Sequence, residues 1–138
     1  MKNMLKLVII FIFMTGSLTL LSCQPGGAES VLLQGSVTIG PIQPVQQPGE
    51  NPPVSPEVFN SRFLIIFDET GRNLVREVYF TQIGQSAVGY YTAQIAPGTY
   101  VIDINRLGID SADNLPVTID VVADETVTID VNIDTGIR

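Results

Sequence analysis

The residue types that most often catalyse reactions are scarce in this chain of 138 residues. It has one cysteine, Cys23, and no histidine, and its two lysines are Lys2 and Lys6. Without histidine, Ser-His-Asp and Cys-His nucleophile chemistry is excluded, and so is nearly every zinc or copper site. We therefore predict no catalytic residue, no metal, no other cofactor and no enzymatic activity.

Carboxylates are the groups that remain for acid-base or metal chemistry. Asp110 and Asp113 lie in the polar segment 108–114. A small hydrolase with an acid pair would use two such carboxylates. The same loop is a weak calcium candidate, although it lacks the alternating acidic ligands of an EF-hand loop. Because loops rich in Asp, Asn and Gly are usually turns, we rank both alternatives below a structural role.

The first 22 residues have the layout of a secretory signal peptide. Residues 1–6 carry two positive charges, residues 7–14 are entirely apolar, and residues 15–22 are mixed. As a helix, residues 7–21 would span roughly 22 Å, which is less than the hydrocarbon core of about 30 Å. We therefore predict cleavage rather than a membrane span, with an uncleaved apolar anchor as the alternative.

Residues 20–23, Leu-Leu-Ser-Cys, end this segment and resemble the lipobox of a bacterial lipoprotein. The resemblance implies that Cys23 is lipidated and becomes the first residue of the mature chain. One acyl chain holds a protein only marginally, so stable anchoring takes two or more. The resemblance therefore implies an exported protein held in the membrane by lipid. In bacteria with two membranes, Gln24 directly after the cysteine resembles the pattern that is sorted to the outer membrane, so we expect that location there. In bacteria with one membrane, we expect the outer face of the cytoplasmic membrane.

The chain that follows the signal is strongly acidic. Five arginines, no lysine and fourteen acidic residues give it a net charge of −9. Nucleic-acid binding needs the opposite sign of charge, so we exclude a nucleic-acid partner. The length fits one domain, which we expect to be a monomer.

Composition divides the mature chain into three parts. Residues 23–30 are predicted to form a flexible tether, and residues 31–138 a single domain. Within that domain, residues 41–57 contain six prolines and are predicted to form a stiff surface loop.

The domain is predicted to be all β, because apolar residues alternate with polar ones from Phe63 onward and no helical periodicity is visible. Residues 68–71 predict a turn. Residues 117–121 and 127–131 repeat the sequence Val-Thr-Ile-Asp-Val. The repeat predicts a hairpin around Asp124 with Ile129 in the core, and its outward aspartates are typical of positions that keep a sheet soluble.

Residues 89–100 have the form G-x-[FY]-x-x-x-[LI]-x-P-G-x-Y, preceded by Phe-Asp-Glu-Thr-Gly at 67–71. This pattern resembles the carboxypeptidase regulatory-like domains. The resemblance implies a seven-stranded antiparallel β-sandwich of the transthyretin-like kind, with an immunoglobulin-like architecture. It also implies that Tyr91 and Ile95 point inward and that Pro97 and Gly98 make a hairpin turn.

Three functions remain open at this point. The first is a lipid-anchored, non-catalytic module of the cell envelope with a structural, accessory or interaction role, whose partner is a protein or a glycan. The second is a module that binds a glycan or small ligand on exposed aromatics, with Tyr90 and Tyr79 as candidates. Zero tryptophan counts against glycan binding. The third is the acid-pair hydrolase.

Overall fold

The computed structural model describes residues 29–45 and 47–138, which form two β-sheets and one short helix. The predicted signal, Cys23 and most of the predicted tether lie outside the described residues. No helix in the described part of the chain has both the length and the hydropathy to cross a membrane.

The first sheet, called sheet A here, has β1 at its centre. Its strands are β1 (Val31–Gly40), β4 (Thr81–Gln82), β5 (Val88–Ile95), β8 (Val127–Thr128) and β9 (Val131–Asp134). One edge of β1 pairs antiparallel with β5, which in turn pairs with β4. The other edge pairs parallel with both β8 and β9. The prediction of a purely antiparallel sandwich is therefore wrong, because β1 has one parallel side.

The second sheet, sheet B, is antiparallel throughout. Its strands, in spatial order, are β3 (Leu74–Tyr79), β2 (Phe63–Phe67), β6 (Gly98–Ile104) and β7 (Val117–Val121). The predicted turn at residues 68–71 joins β2 to β3 and is confirmed. Asp68 accepts hydrogen bonds there from Thr70 and Asn73, whose side chains lie 2.6 and 2.5 Å away.

The described residues thus contain nine strands where the sequence predicted seven. Two extended segments are each divided into two strands. At buried Phe80 the chain leaves sheet B after β3 and enters sheet A as β4. At Ile129 and Asp130 the ladder along β1 is interrupted between β8 and β9, although both strands keep the same register against β1.

The core lies between the sheets and follows the period-two pattern. Its largest fully buried side chains are Tyr91, Phe59, Leu33, Ile39, Leu64, Ile66, Ile102 and Ile133. Tyr91 and Ile95 point inward as expected. Ile129, which was predicted to lie in the core, is only half-buried and packs against it.

Two predicted turns are wrong in the same way. The Val-Thr-Ile-Asp-Val repeat does not form a hairpin. Its first copy is β7 in sheet B, whereas its second copy starts with β8 in sheet A. Pro97 likewise connects β5 of sheet A to β6 of sheet B. Alternation of apolar residues determines which side chains face inward, but it does not determine which sheet a strand joins.

The proline-rich segment crosses one end of the sandwich from β1 to β2. It is anchored by Val54, which is buried and whose backbone N–H donates to the carbonyl of Gln85 at 2.9 Å. The segment ends in a one-turn helix, α1 (Pro56–Asn60), that the sequence did not predict. Proline suits the first helical turn, and Phe59 attaches the helix to the core.

Candidate functional site

The acid pair predicted from the sequence is divided between two environments. Asp110 is almost completely buried and faces Arg62, with Nε to Oδ2 at 2.7 Å and Nη2 to Oδ1 at 3.2 Å. Arg62 also donates to the carbonyl of Val58 at 3.0 Å, so the pair ties the 105–116 loop to α1. Asp113 is exposed instead and lines a surface concavity. Arg62 was not singled out in the sequence because its partner is 48 residues away.

Within the described ranges, no group of three or more His, Cys, Asp and Glu side chains is placed to hold a metal ion. Both oxygens of Asp110 accept hydrogen bonds from Arg62. A carboxylate held in this way is typical of a structural ion pair, in which each charge compensates the desolvation of the other.

The two candidate aromatics lie in different sheets. Tyr90 is on the outer face of sheet A and is 47% exposed. Tyr79 belongs to β3 of sheet B, where its ring packs against Phe63 with centroids 5.2 Å apart and its hydroxyl donates to Glu77. Tyr79 does not line the concave surfaces beside Tyr90, so the structure does not combine the two rings in one binding surface.

The outer face of sheet A contains a groove that we call the Tyr90 groove. Tyr90 pairs with Ser36 across the sheet, and Ser36 is hydrogen-bonded to Asp130 on the far side of β1. Because Ser36 is short and both neighbours are longer, the row is lowest at its centre. The groove holds about 360 Å³ and also includes Gln34, Ile83, Val88, Thr92 and Thr128. Its volume lies at the small end of the range for ligand sites.

A second concavity continues the groove beyond β1. It holds about 300 Å³, shares Ser36 and Asp130 with the first, and adds Thr38, Asp113, Asn114 and Asn132. Asn114 donates to the carbonyl of Asp130 at 2.8 Å, which fixes the 105–116 loop against the interruption between β8 and β9. The combined surface therefore runs from an apolar end at Ile83 and Val88 to a polar, acidic end.

Asp130 is the best oriented charged group in this surface. Its Oδ1 accepts both the backbone N–H and the hydroxyl of Ser36, each at 2.8 Å. The backbone donor and then the hydroxyl donor lower the pKa of Asp130 below its ordinary value, so the carboxylate is charged at neutral pH. The two hydrogen bonds fix the carboxylate against Ser36, the residue that pairs with Tyr90 on the other side of β1.

Tyr91 supports the groove from below. Its ring covers Gly35, and its hydroxyl donates to the carbonyl of Ile129 at 2.7 Å. Burial, followed by the nearby negative charge of Asp130, raises the pKa of this phenol well above its ordinary value. The inner tyrosine therefore stays neutral and holds the backbone that carries Asp130.

Ser36 was not predicted as a site residue, and Asp130 was predicted only as an outward residue that keeps the sheet soluble. The signal in the sequence was Gly35, because a glycine inside a strand often marks the close approach of another backbone. The chemistry available to the groove residues is hydrogen bonding, apolar contact and attraction of positive charge.

No protein-family model matches this chain, and no curated protein sequence shows significant similarity to it.

Proposed function

We propose that this chain is an exported, lipid-anchored and non-catalytic β-sandwich module that serves interaction or assembly in the cell envelope. The observation that carries the proposal is the Leu-Leu-Ser-Cys sequence at 20–23, directly after a charged and then apolar lead-in. Sulfur at Cys23 would accept a diacylglycerol, and further acylation would make the anchoring stable.

The position of β1 supports anchoring close to the membrane. Only residues 24–30 separate Cys23 from the start of β1 at Val31, and seven residues reach about 25 Å at most. The same end of the sandwich carries the turns at 68–73, 96–97 and 122–126. The first and last of these turns contain Asp68, Glu69, Asp124 and Glu125. These acids would repel anionic headgroups, so electrostatic attraction would not bind the domain to the membrane.

The opposite end would then face away from the membrane. It carries the proline-rich segment and the 105–116 loop, with exposed apolar side chains at Val45, Leu107 and Ile109. Scattered apolar residues on a surface are normal, but their position at the distal end supports an outward-facing interaction surface.

For the finer fold, we propose a variant of the transthyretin-like, carboxypeptidase regulatory-like sandwich. If β3 with β4 and β8 with β9 are each counted as one extended segment, the nine strands reduce to seven. The inward side chains of Tyr91 and Ile95 support this assignment. The parallel pairing of β1 with β8 and β9 is the feature in which this chain would depart from an all-antiparallel pattern.

A second candidate function is the binding of a glycan or small ligand. The Tyr90 groove favours it, because an exposed ring lies beside several hydrogen-bonding side chains in one concave surface. Substituting Tyr90→Ala would abolish binding of such a ligand while leaving membrane association unchanged, which separates the two functions experimentally.

Membrane fractionation tests the lipid anchor. The full chain expressed in a bacterium should sediment with membranes, resist high salt and move into detergent, because acyl chains are unaffected by ionic strength. Mass spectrometry should find a mature chain that begins at a lipid-modified Cys23. Cys23→Ser should remain an unprocessed precursor, whereas Ser17→Ala, which changes the signal but keeps the cysteine, should be processed normally. An unmodified Cys23, or a wild-type chain that still starts at Met1, would refute the proposal.

A further inference from the structure

Three residues form one row across the outer face of sheet A. Tyr90 and Ser36 are direct partners in the pairing of β5 with β1. Asp130 occupies the next position, since β8 and β9 keep one register along β1 on either side of it. Neighbouring strands lie about 4.8 Å apart, so the backbones of Tyr90 and Asp130 are separated by about 10 Å, with Ser36 as the floor between them.

The row is suited to a flat organic cation. Oδ1 of Asp130 is occupied by the two donors of Ser36, whereas no hydrogen bond to Oδ2 is found among the described residues. A cation above Ser36 would contact this oxygen on one side and the ring of Tyr90 on the other. Aromatic rings attract cations within about 6 Å of their centre. A guanidinium group both stacks on rings and donates hydrogen bonds to carboxylates, and it is less strongly hydrated than an ammonium group.

The charges on the surface are complementary to such a ligand. Asp113 and Asp130 are the charged side chains among the described residues that line the groove and its extension. The arginines that form ion pairs do so with acids elsewhere, Arg62 with Asp110, Arg106 with Asp103 and Arg138 with Asp134. Among the described residues, Asp130 itself forms no ion pair.

We propose that the Tyr90 groove binds an arginine side chain presented by a partner protein, with the guanidinium between Tyr90 and Asp130. The aliphatic part of that side chain, or a neighbouring apolar residue, would lie against Ile83 and Val88. This inference rests on the proposed interaction role and is independent of the lipid anchor.

A peptide titration tests the proposal. The ¹⁵N-labelled full chain in non-ionic detergent is titrated with acetyl-Gly-Arg-Gly-amide and, in parallel, with the same peptide in which neutral citrulline replaces arginine. We expect chemical-shift changes centred on the amides of Ser36, Tyr90 and Asp130. The arginine peptide should bind about three- to thirtyfold more tightly than the citrulline peptide, because citrulline loses both the charge pair with Asp130 and the cation–π contact with Tyr90.

Two pairs of variants make the test specific. Asp130→Asn keeps an oxygen that accepts from Ser36 but removes the charge, and it should weaken binding about two- to fivefold. Asp120→Asn makes the same change of net charge on sheet B and should have no effect. Tyr90→Leu should weaken binding, whereas Tyr90→Phe, which keeps the ring, should not.

Several results would overturn the proposal. These are equal binding of the arginine and citrulline peptides, equal losses in Asp130→Asn and Asp120→Asn, or equally tight binding of a lysine peptide. Binding of a neutral oligosaccharide that is insensitive to Asp130→Asn would assign the groove to glycans instead. None of these outcomes affects fractionation of the wild-type chain with membranes, so failure of the anchor would be recognised separately.

Discussion

Residues 117–121 and 127–131 share the sequence Val-Thr-Ile-Asp-Val and also the same order of half-buried, exposed and buried positions. Their surroundings differ completely. The first copy is β7, which pairs antiparallel with β6 along its whole length. The second copy pairs parallel with β1 and is interrupted at Ile129 and Asp130. The same five residues therefore form a regular edge strand in one sheet and the wall of a groove in the other.

The two aspartates show what the difference means for function. Asp120 accepts one hydrogen bond, from the hydroxyl of Thr99 at 2.8 Å. Asp130 accepts two from Ser36 and lies in one row with Tyr90. Identical sequence produces the same alternation of faces. The neighbouring strand decides whether an outward carboxylate only solvates the sheet or is also held by the backbone and side chain of a groove residue.

A substitution at Gly35 should have the largest effect on stability of those that test this comparison. A Cβ at this position would lie 1.9 Å from the carbonyl oxygen of Ile129, which is backbone and cannot move without displacing the second copy. Gly35→Ala should lower the free energy of unfolding by roughly 2–3 kcal/mol, at the upper end of the usual cost of overpacking, because the contact is with backbone. Urea denaturation followed by circular dichroism measures the change.

Gly40→Ala is the matched control for Gly35→Ala. Gly40 ends the same strand, and a Cβ there would have no neighbour within 4 Å. Its effect should be small. Equal destabilisation by the two substitutions would contradict the view that a glycine is needed at residue 35 to let the backbone of Ile129 approach β1.

The sequence predicted the β class, the alternation of faces and the turn at 68–71, because each follows from neighbouring residues. It did not predict which strands meet. The repeat was expected to form a hairpin because its copies are ten residues apart, but β6 pairs with the first copy and β1 with the second. β6 and β7 are consecutive strands joined by the 105–116 loop, whereas β1 and β8 lie more than 80 residues apart in the chain, and that pairing depends on packing of the whole core.

The candidate site was predicted only in fragments. Tyr90 was correctly expected to point outward, since Tyr91 beside it points inward. Its relation to Asp130 depends on β1 lying between two strands that are about 40 residues apart in the chain. Ser36 carried no signal of its own, because a single serine in a strand is common. Periodicity reveals the face of a residue, but not its neighbours across the sheet.

Tyr91→Phe should lower the free energy of unfolding by an intermediate amount, because the hydrogen bond that it removes holds the second copy of the repeat. It removes the hydroxyl that donates to Ile129, and loss of such a hydrogen bond costs about 1 kcal/mol. Tyr100→Phe is the control: it removes a hydroxyl bonded to the carbonyl of Ala96 at an exposed site, so its effect should be smaller. Equal losses in the two variants would contradict a special role for the Tyr91 contact.

The same substitution should change the response to alkaline pH. Because the folded protein holds the phenolic proton of Tyr91 more tightly than the unfolded chain does, the stabilisation is complete below the unfolded pKa of about 10. It is lost as pH rises above that value, when the unfolded state ionises first. Tyr91→Phe should therefore lose less stability than wild type between neutral pH and pH 11. Tyr79→Phe is the control, because Tyr79 is exposed and its pKa is raised chiefly by the charge of Glu77 rather than by burial.

Ser36→Ala should produce the smallest change, and it tests the orientation of Asp130 directly. The alanine removes the hydroxyl donor but keeps the backbone N–H, which is the larger cause of the lowered pKa. The pKa of Asp130 should therefore rise only part of the way to its ordinary value near 3.9, as read from its side-chain carboxyl carbon by NMR. Asp68 is an internal control, because its pKa is lowered first by Thr70 and then by Asn73, far from the substitution. A carboxylate whose pKa is lowered by folding stabilises the protein above the unfolded pKa and loses that contribution as pH falls. Ser36→Ala should accordingly lose slightly less stability than wild type below pH 4. An unchanged pKa of Asp130 would mean that the serine hydroxyl does not hold the carboxylate in the Tyr90 groove.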